Sequence, residues 1–295
     1  MPPLLLALPG NEALTGELAH LLGTTVADYT LRSFPDGETY VQLHTPVAGR
    51  TLVLICTLAQ PNPQLLPLYF LAETARDLGA HRVYLLAPYL AYMRQDARFQ
   101  PGEGITSAYF ARLLSHFLDG LLTVAPHLHR WHQLRQIYRI PTEALHATSA
   151  MVQYVRRQVH RPVLVGPDSE SKQWVAAIAR EAGCPYLVLR KQRHGDRSVT
   201  IAPPDVARFQ HHTPVVVDDI VSTGRTMIAT VQHLRQAGLP APVCLGIHAL
   251  FVGAAYDELL AAGAGHVVTC NTVPHPSNGI NLAPLLAEAL TRLPG

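Results

Sequence analysis

Charge is scarce in this chain. Charged residues make up 15% of its 295 residues, and with 23 lysines and arginines against 21 acids the formal net charge is only +2. So even a balance leaves no basic face to neutralise a nucleic-acid backbone or to make an acidic membrane the main partner. Long apolar runs are missing as well. The opening run Leu4-Leu5-Leu6-Ala7-Leu8 meets Pro9-Gly10-Asn11 at once. It is too short to span a bilayer and has no basic segment before it, so it reads as a first buried strand of a cytoplasmic protein rather than a leader or an anchor. Cysteine is sparse. Cys56, Cys184, Cys244 and Cys270 lie far apart with no CxxC pair, which excludes a zinc ribbon or a disulfide framework and fits small buried thiols in a reducing compartment. Two phosphate-binding signatures are also absent. There is no GxxxxGK[ST] loop, and no GxGxxG follows the first strand, so neither a Walker site nor a dinucleotide site is indicated. No serine or cysteine sits in a nucleophile elbow, and no short period suggests a solenoid.

What is present is apolar. Hydrophobic residues make up 48% of the chain, enough for substantial cores, and the length suits one large or two ordinary domains. Short apolar runs at 4–8, 51–56, 82–87, 121–125, 163–165, 186–189, 215–217, 243–249 and 266–269 read as strands. Amphipathic stretches at 64–78, 105–118, 147–158, 171–182 and 226–237 read as helices. Apolar strands alternating with helices predict an α/β protein with mostly parallel sheets flanked by helices. The alternation breaks over 137–145. Dividing the chain there gives residues 1–145 and 146–295, each one α/β unit.

One string carries chemistry by itself. Residues 215–226 read Val-Val-Val-Asp-Asp-Ile-Val-Ser-Thr-Gly-Arg-Thr. A buried strand ends in Asp218 and Asp219, a short loop holds Ser222, Thr223 and Gly224, and a helix begins around Arg225 and Thr226. Carboxylates at the C-terminal edge of a parallel strand accept hydrogen bonds from vicinal sugar hydroxyls. Loop amides and a helix N-terminus hold a phosphate, and glycine lets the backbone come close to it. The bare fragment is equally an ordinary strand, acidic turn and helix start. The full string resembles the phosphoribosyl diphosphate loop of type I phosphoribosyltransferases.

Further segments narrow the resemblance. In order they are Ser33-Phe34-Pro35-Asp36-Gly37-Glu38, Tyr92-Met93-Arg94-Gln95-Asp96, Arg98-Phe99-Gln100-Pro101-Gly102-Glu103, Gly166-Pro167-Asp168-Ser169-Glu170-Ser171, Arg190-Lys191-Gln192-Arg193 and Asn271-Thr272-Val273-Pro274-His275-Pro276. With the 215–226 loop, this ordered set resembles the ribose-phosphate diphosphokinases over nearly the whole chain. The resemblance implies two phosphoribosyltransferase-like α/β domains with an active site between them, and phosphoribosyl loop residues in the second.

It also implies roles. Phe34, Asp36 and Glu38 belong to an adenine pocket completed across a subunit contact, although on its own that string reads as a turn. Arg94, Gln95 and Asp96 belong to an ATP-holding segment, with Arg94 able to grip phosphate bidentately. His127 matches a histidine on the magnesium-ATP side. Asp168, Asp218 and Asp219 hold ribose 5-phosphate or a magnesium ion, and Ser222, Thr223, Gly224, Arg225 and Thr226 hold the sugar's phosphate. Lys191 and Arg193 are the catalytic cations, spaced to point the same way from an extended segment. The implied cofactor is Mg2+, the substrates are ATP and ribose 5-phosphate, and the assembly is a homo-oligomer, a dimer or larger.

One position departs from the family pattern. The family commonly has an aspartate two residues before the histidine of the magnesium-ATP segment, whereas here the run is Val124-Ala125-Pro126-His127-Leu128-His129. Ala125 removes one metal contact. It is the single feature that favours a nucleotide-binding regulatory subunit over an enzyme. A phosphoribosyltransferase that consumes phosphoribosyl diphosphate would share the 215–226 loop but has no need of the segments around Phe34 and Arg94. His116, His127, His129 and His132 lack the defined partners of a zinc site.

Overall fold

The computed structural model describes residues 2–167, 171–194, 198–202 and 206–294. The chain divides into two compact units. The first comprises residues 1–146 with 282–295, and the second residues 147–281.

The first unit is built on five parallel strands, β1 (Leu4–Ala7), β4 (Thr51–Ile55), β5 (Arg82–Ala87), β6 (Gly120–Val124) and β7 (Thr142–Leu145), hydrogen-bonded in that order. Between β1 and β4 the chain forms α1 (Glu12–Leu22) and an antiparallel hairpin, β2 (Tyr29–Ser33) with β3 (Thr39–Leu43). Helices α2 (Pro61–Asp77) and α3 (Thr106–Phe117) make the crossovers on either side of β5. Strands β1, β4, β5 and β6 are mostly Leu, Val and Ile and are buried over nearly all their length, as parallel strands covered on both faces must be. Each fully buried side chain of this kind is worth about 1.5–3 kcal/mol. In α2, Pro61 sits in the first turn, where its missing N–H costs nothing, and the helix runs on through Pro67 because Leu68, Leu71, Ala72 and Ala75 bury one face.

The second unit has helices α4 (Thr148–Gln158), α5 (Lys172–Ala182), α6 (Arg225–Gln236) and α7 (Ala255–Ala261). Its six parallel strands are β8 (Pro162–Gly166), β9 (Tyr186–Val188), β12 (Thr213–Val221), β13 (Val243–Ala249), β14 (His266–Cys270) and β15 (Asn278–Ile280), in the order β15-β14-β13-β12-β8-β9. A separate antiparallel hairpin pairs β10 (Arg190–His194) with β11 (Ser198–Ala202). In α6 the buried Met227, Thr230, Val231 and Leu234 recur at helical spacing, which lays one stripe on the sheet.

All nine strands read from the sequence are present, and so are the five helices, with ends that coincide or shift by up to four residues. The β2–β3 hairpin and the edge strands β7 and β15 lie outside those readings, because their residues are polar or short in run. The segment 137–145, where the alternation seemed to break, closes the first sheet as β7. The final helix, α8 (Ala283–Thr291), packs against α1, and Arg292 Nη2 donates to Glu143 Oε1 at 2.6 Å. Residues 282–295 thus lie with the first unit by contact, although the chain reaches them only after the second.

Candidate active site

In the second unit the strand order reverses at β8. From β8 the chain adds β9 on one side, and later β12, β13, β14 and β15 on the other. Ligands of open parallel sheets bind outside the carboxyl ends of the strands at such a reversal. The loops after β8 and β12 flank it.

Here the structure amends the sequence reading of the acids. The strand does not stop before Asp218. It continues to Val221, because β13 keeps pairing with it: Asp218 stands opposite Gly246, Ile220 opposite His248 and Val221 opposite Ala249. On the other side the pairing with β8 ends at Val216 and Val165. Both acids are therefore in the last four residues of β12, past the end of its β8 ladder, and both are half-buried. Each is pinned by its neighbour's amide. Asp219 N–H donates to Asp218 Oδ1 at 3.0 Å, and Ile220 N–H donates to Asp219 Oδ1 at 2.8 Å.

The chain then turns through Ser222 and Thr223 to Gly224, which takes the N-cap position of α6 at φ +64°. Gly224 has no side chain with which to cap this helix start, and the first-turn amides at Arg225, Thr226 and Met227 have no acceptor within the helix. Behind the loop, Val252 N–H donates to the Ser222 carbonyl at 3.2 Å. The strand end thus places Asp218, Asp219, Ser222, Thr223, Gly224, Arg225 and Thr226 in one continuous stretch around a helix N-terminus.

Asp168 lies outside the described residues. Its flanks are defined: β8 ends at Gly166, and Ser171 takes the N-cap position of α5. A side chain at Gly166 would meet Ser171 Oγ at 2.5 Å, so the Ser171 hydroxyl would have to turn away from it. Lys191 and Arg193 occupy alternate positions of β10, opposite Ile201 and Val199 of β11. The extended segment expected there is a strand of a hairpin.

In the first unit the candidate residues fall in three loops. Phe34, Asp36 and Glu38 form the tip of the β2–β3 hairpin. Phe34 N–H donates to the Glu38 carbonyl at 2.8 Å, Gly37 N–H to the Phe34 carbonyl at 2.9 Å, and Glu38 N–H to Asp36 Oδ1 at 3.2 Å. The tip is exposed, Phe34 by 39%, and Arg32 lies over the rings of Phe34 and Tyr40 at 4.8 and 4.2 Å. This leaves an aromatic face available to stack on a planar ring.

The loop after β5 sorts its three candidates. Arg94 is exposed. Gln95 is engaged at the start of α3, accepting from Thr106 Oγ1 at 3.0 Å through its side chain and from Ser107 N–H at 3.3 Å through its carbonyl. Asp96 is 5% exposed and turns inward. Its Oδ1 accepts from Arg130 Nη1 at 2.9 Å and its Oδ2 from Arg130 N–H at 3.0 Å. Burial pushes this carboxyl up, but the two Arg130 hydrogen bonds and its charge outweigh that and hold it below the ordinary carboxylate range.

Asp96 thereby ties the loop after β5 to the loop after β6, which carries His127. Trp131 Nε1 donates to Ser107 Oγ at 3.0 Å beside it, and Arg130 also lies over Phe99 at 5.0 Å. His127 is half-buried, with its ring 6.4 Å from that of His129. Arg130, Trp131 and Tyr92 are the residues that sequence reasoning missed. A tie between positions 96 and 130 leaves no local pattern. Ala125 has φ +38°, and its N–H donates to the Leu145 carbonyl at 2.8 Å. Among the described residues, no three His, Cys, Asp or Glu side chains gather as a metal cluster.

Comparison with known proteins follows the same two-part plan. Residues 4–117 match the N-terminal domain of ribose phosphate pyrophosphokinase, and residues 133–283 match the phosphoribosyl transferase domain. The chain is 32% identical to the ribose-phosphate pyrophosphokinase of Methanopyrus kandleri over 295 residues, covering 99% of this chain and 100% of that one. It is 29% identical to that of Sulfolobus acidocaldarius over 280 residues, 93% and 94% of the two chains. The crystal structure of phosphoribosylpyrophosphate synthetase from Mycobacterium smegmatis superposes with a TM-score of 0.86 at 24% identity, covering 99% of this chain and 98% of the other, and so shares its fold. Fold and site together define a protein of the phosphoribosyltransferase class with two such α/β units in one chain. Within that class, the chain belongs to the ribose-phosphate pyrophosphokinase family.

Proposed function

We propose that this chain is a ribose-phosphate diphosphokinase. It transfers the β,γ-diphosphoryl group of ATP to the 1-hydroxyl of ribose 5-phosphate, giving phosphoribosyl diphosphate and AMP. The observation that carries the reading is the strand, loop and uncapped helix start over 213–236, on a chain that matches the family from end to end.

The ribose 1-hydroxyl attacks the β-phosphorus in line, and AMP leaves. There is little covalent work for the protein in such a transfer, so its residues act by positioning and by neutralising charge. The Ser222–Thr226 amides and the α6 dipole hold the 5-phosphate. Asp218 and Asp219 hold the ribose hydroxyls. Phe34, Asp36 and Glu38 take the adenine, Arg94 the ATP phosphates. Lys191 and Arg193 stabilise the charge that develops on the transferring group and on AMP. Gln95 and Asp96 complete the ATP-holding segment, with Asp96 also tying the loop that carries Arg94 to the loop that carries His127 through Arg130.

The donor set fits magnesium. Asp168, Asp218 and Asp219 are hard oxygen donors, and magnesium takes few protein ligands when substrate phosphates supply the rest. Asp168, Asp218, Asp219 and His127 are the residues assigned to it. The ion supplies charge neutralisation on the diphosphate oxygens. The absence of a helix long and apolar enough to cross a membrane among the described residues, and four cysteines without a disulfide, suit a cytoplasmic protein. The exposed hairpin tip suits a homo-oligomer in which a second copy completes the adenine pocket.

The test is the reaction itself. With ATP, magnesium and ribose 5-phosphate, AMP and phosphoribosyl diphosphate are expected in equal amounts, and only when the sugar is present. In that assay Lys191→Ala is expected to lose roughly 10²–10³-fold in turnover with little change in ribose 5-phosphate affinity. A protein that binds ATP yet makes no product with any divalent ion is instead a regulatory subunit, the reading that Ala125 favours.

A further inference from the structure

The string Asn271-Thr272-Val273-Pro274-His275-Pro276 follows β14, and the reaction assigns it no role. Its histidine is nonetheless held with unusual care. His275 Nδ1 accepts from Ser277 N–H at 3.1 Å and lies 2.8 Å from Ser277 Oγ, while His275 N–H donates to Asn278 Oδ1 at 3.0 Å. Those partners are fixed in turn. Ser277 Oγ meets the fully buried Thr269 Oγ1 at 2.8 Å, and Asn278 Nδ2 donates to Thr269 Oγ1 and to the Cys270 carbonyl, both at 2.9 Å. A ring nitrogen that accepts a backbone N–H carries no proton, which assigns the ring proton to Nε2.

The ring so oriented faces two others. Phe251 lies 4.6 Å from it between centroids at 35°, and Tyr256 5.0 Å at 70°, while Phe251 and Tyr256 meet edge to face at 5.4 Å. The three rings flank the turn between β13 and α7. That turn backs the phosphoribose loop at two places. Val252, next to Phe251, donates its N–H to the Ser222 carbonyl, and the Ala255 carbonyl lies 3.7 Å from where a Gly224 side chain would begin. Aromatic pairs in this geometry are worth about 0.5–1.5 kcal/mol beyond their burial, and they fix orientation as well as distance.

We propose that His275 is a positioning residue for ribose 5-phosphate, acting through Phe251 and the Val252 amide to hold the Ser222–Thr226 loop in its phosphate-binding shape. The assignment rests on the proposed function, since it takes that loop as the phosphate site. A packing residue with no such duty would change stability alone. A positioning residue changes affinity for one substrate.

The experiment therefore begins with the unaltered protein, whose activity tests the proposed function separately. In an active protein, His275→Ala is expected to raise both the KM and the directly measured Kd for ribose 5-phosphate about tenfold, with kcat and the KM for ATP within about twofold. His275→Phe keeps a ring on Phe251 and is expected to recover most of that loss. Phe251→Leu is expected to reproduce it. The His275→Ala, Phe251→Leu double variant is expected to be no worse than the poorer single one, because residues acting in series do not add. Thermal melts establish that each variant is folded, and the His275→Phe and Phe251→Leu proteins carry the test if His275→Ala is not. Unchanged sugar affinity in folded variants, equal losses for ATP and sugar, or additive effects in the double variant each overturn the assignment.

Discussion

Both units turn the chain sharply where a strand gives way to a site, but they do so with different residues. In the second unit the turn after β12 falls on Gly224, at φ +64°. In the first unit the turns after β5 and β6 fall on Tyr92, at φ +60°, and Ala125, at φ +38°. Left-handed backbone costs a residue with a side chain about 1–2 kcal/mol, and glycine escapes that cost. The first unit must offset it with contacts from far along the chain. Tyr92 stacks on Phe110 and its hydroxyl donates to Asn62, Ala125 N–H reaches Leu145, and Asp96 grips Arg130. The second unit turns on glycine, and its distant support, the β13 pairing and the Val252 amide, lies behind a stretch whose site residues are consecutive. A site whose residues follow one another is compact in sequence, and a site whose residues meet only through distant contacts is scattered.

Removing the strongest of those distant contacts gives the largest effect within this contrast. Asp96→Ala leaves the Arg130 amide and guanidinium without their buried acceptor, a loss of about 1.5–3 kcal/mol for hydrogen bonds to a charged group. The first unit is expected to melt earlier, and the KM for ATP to rise while that for ribose 5-phosphate holds. Acid provides an independent check. The Asp96 carboxyl is held below its ordinary range, so its contribution is complete above the unfolded value and is lost as pH falls through the folded one. Melting temperatures of the native protein and of Asp96→Asn, followed from neutral pH downward, should converge in that acid range. Parallel curves throughout would show that the pair contributes nothing.

A smaller effect is expected at Gly224. An added methyl there meets Ile228 Cδ1 at 3.6 Å, an ordinary contact, so Gly224→Ala is penalised by backbone strain and not by a clash. The cost of about 1–2 kcal/mol should appear as a rise of about five- to thirtyfold in the KM for ribose 5-phosphate. If ATP is affected instead, the glycine turn serves the wrong substrate and the comparison between the units fails.

The same difference decides what could be read from the sequence. The nine apolar strands were legible because burial on both faces demands continuous Val, Leu and Ile. Residues 215–226 were legible because strand, acids, glycine and helix start follow one another directly. The β2–β3 hairpin escaped because Thr, Arg and Gln interrupt its strands, with no continuous apolar run to mark them. The contact of Asp96 with Arg130 was not legible, because nothing near Asp96 in the chain points to a partner that far along it. The strand end beyond Asp218 was misjudged for a related reason, since the pairing with β13 that prolongs it lies elsewhere in the sequence.

Ala125 offers the finest division of the comparison, because strain and chemistry meet there at one residue. Alanine at φ +38° has no way to relieve left-handed backbone, whereas asparagine and aspartate tolerate that region better through their short polar side chains. Both Ala125→Asn and Ala125→Asp are therefore expected to stabilise the first unit by about 0.5 kcal/mol, raising its Tm by about 1–2 °C. Only aspartate also supplies a hard anionic oxygen beside the His127 loop. Ala125→Asp should then lower the magnesium concentration needed for half-maximal activity, and Ala125→Asn should leave it unchanged. A gain in metal response without a gain in stability would mean that Leu145 already holds the turn without strain. A gain in stability alone would mean that the first unit has no use for a carboxylate at this position, and that its magnesium contacts come from the substrate phosphates.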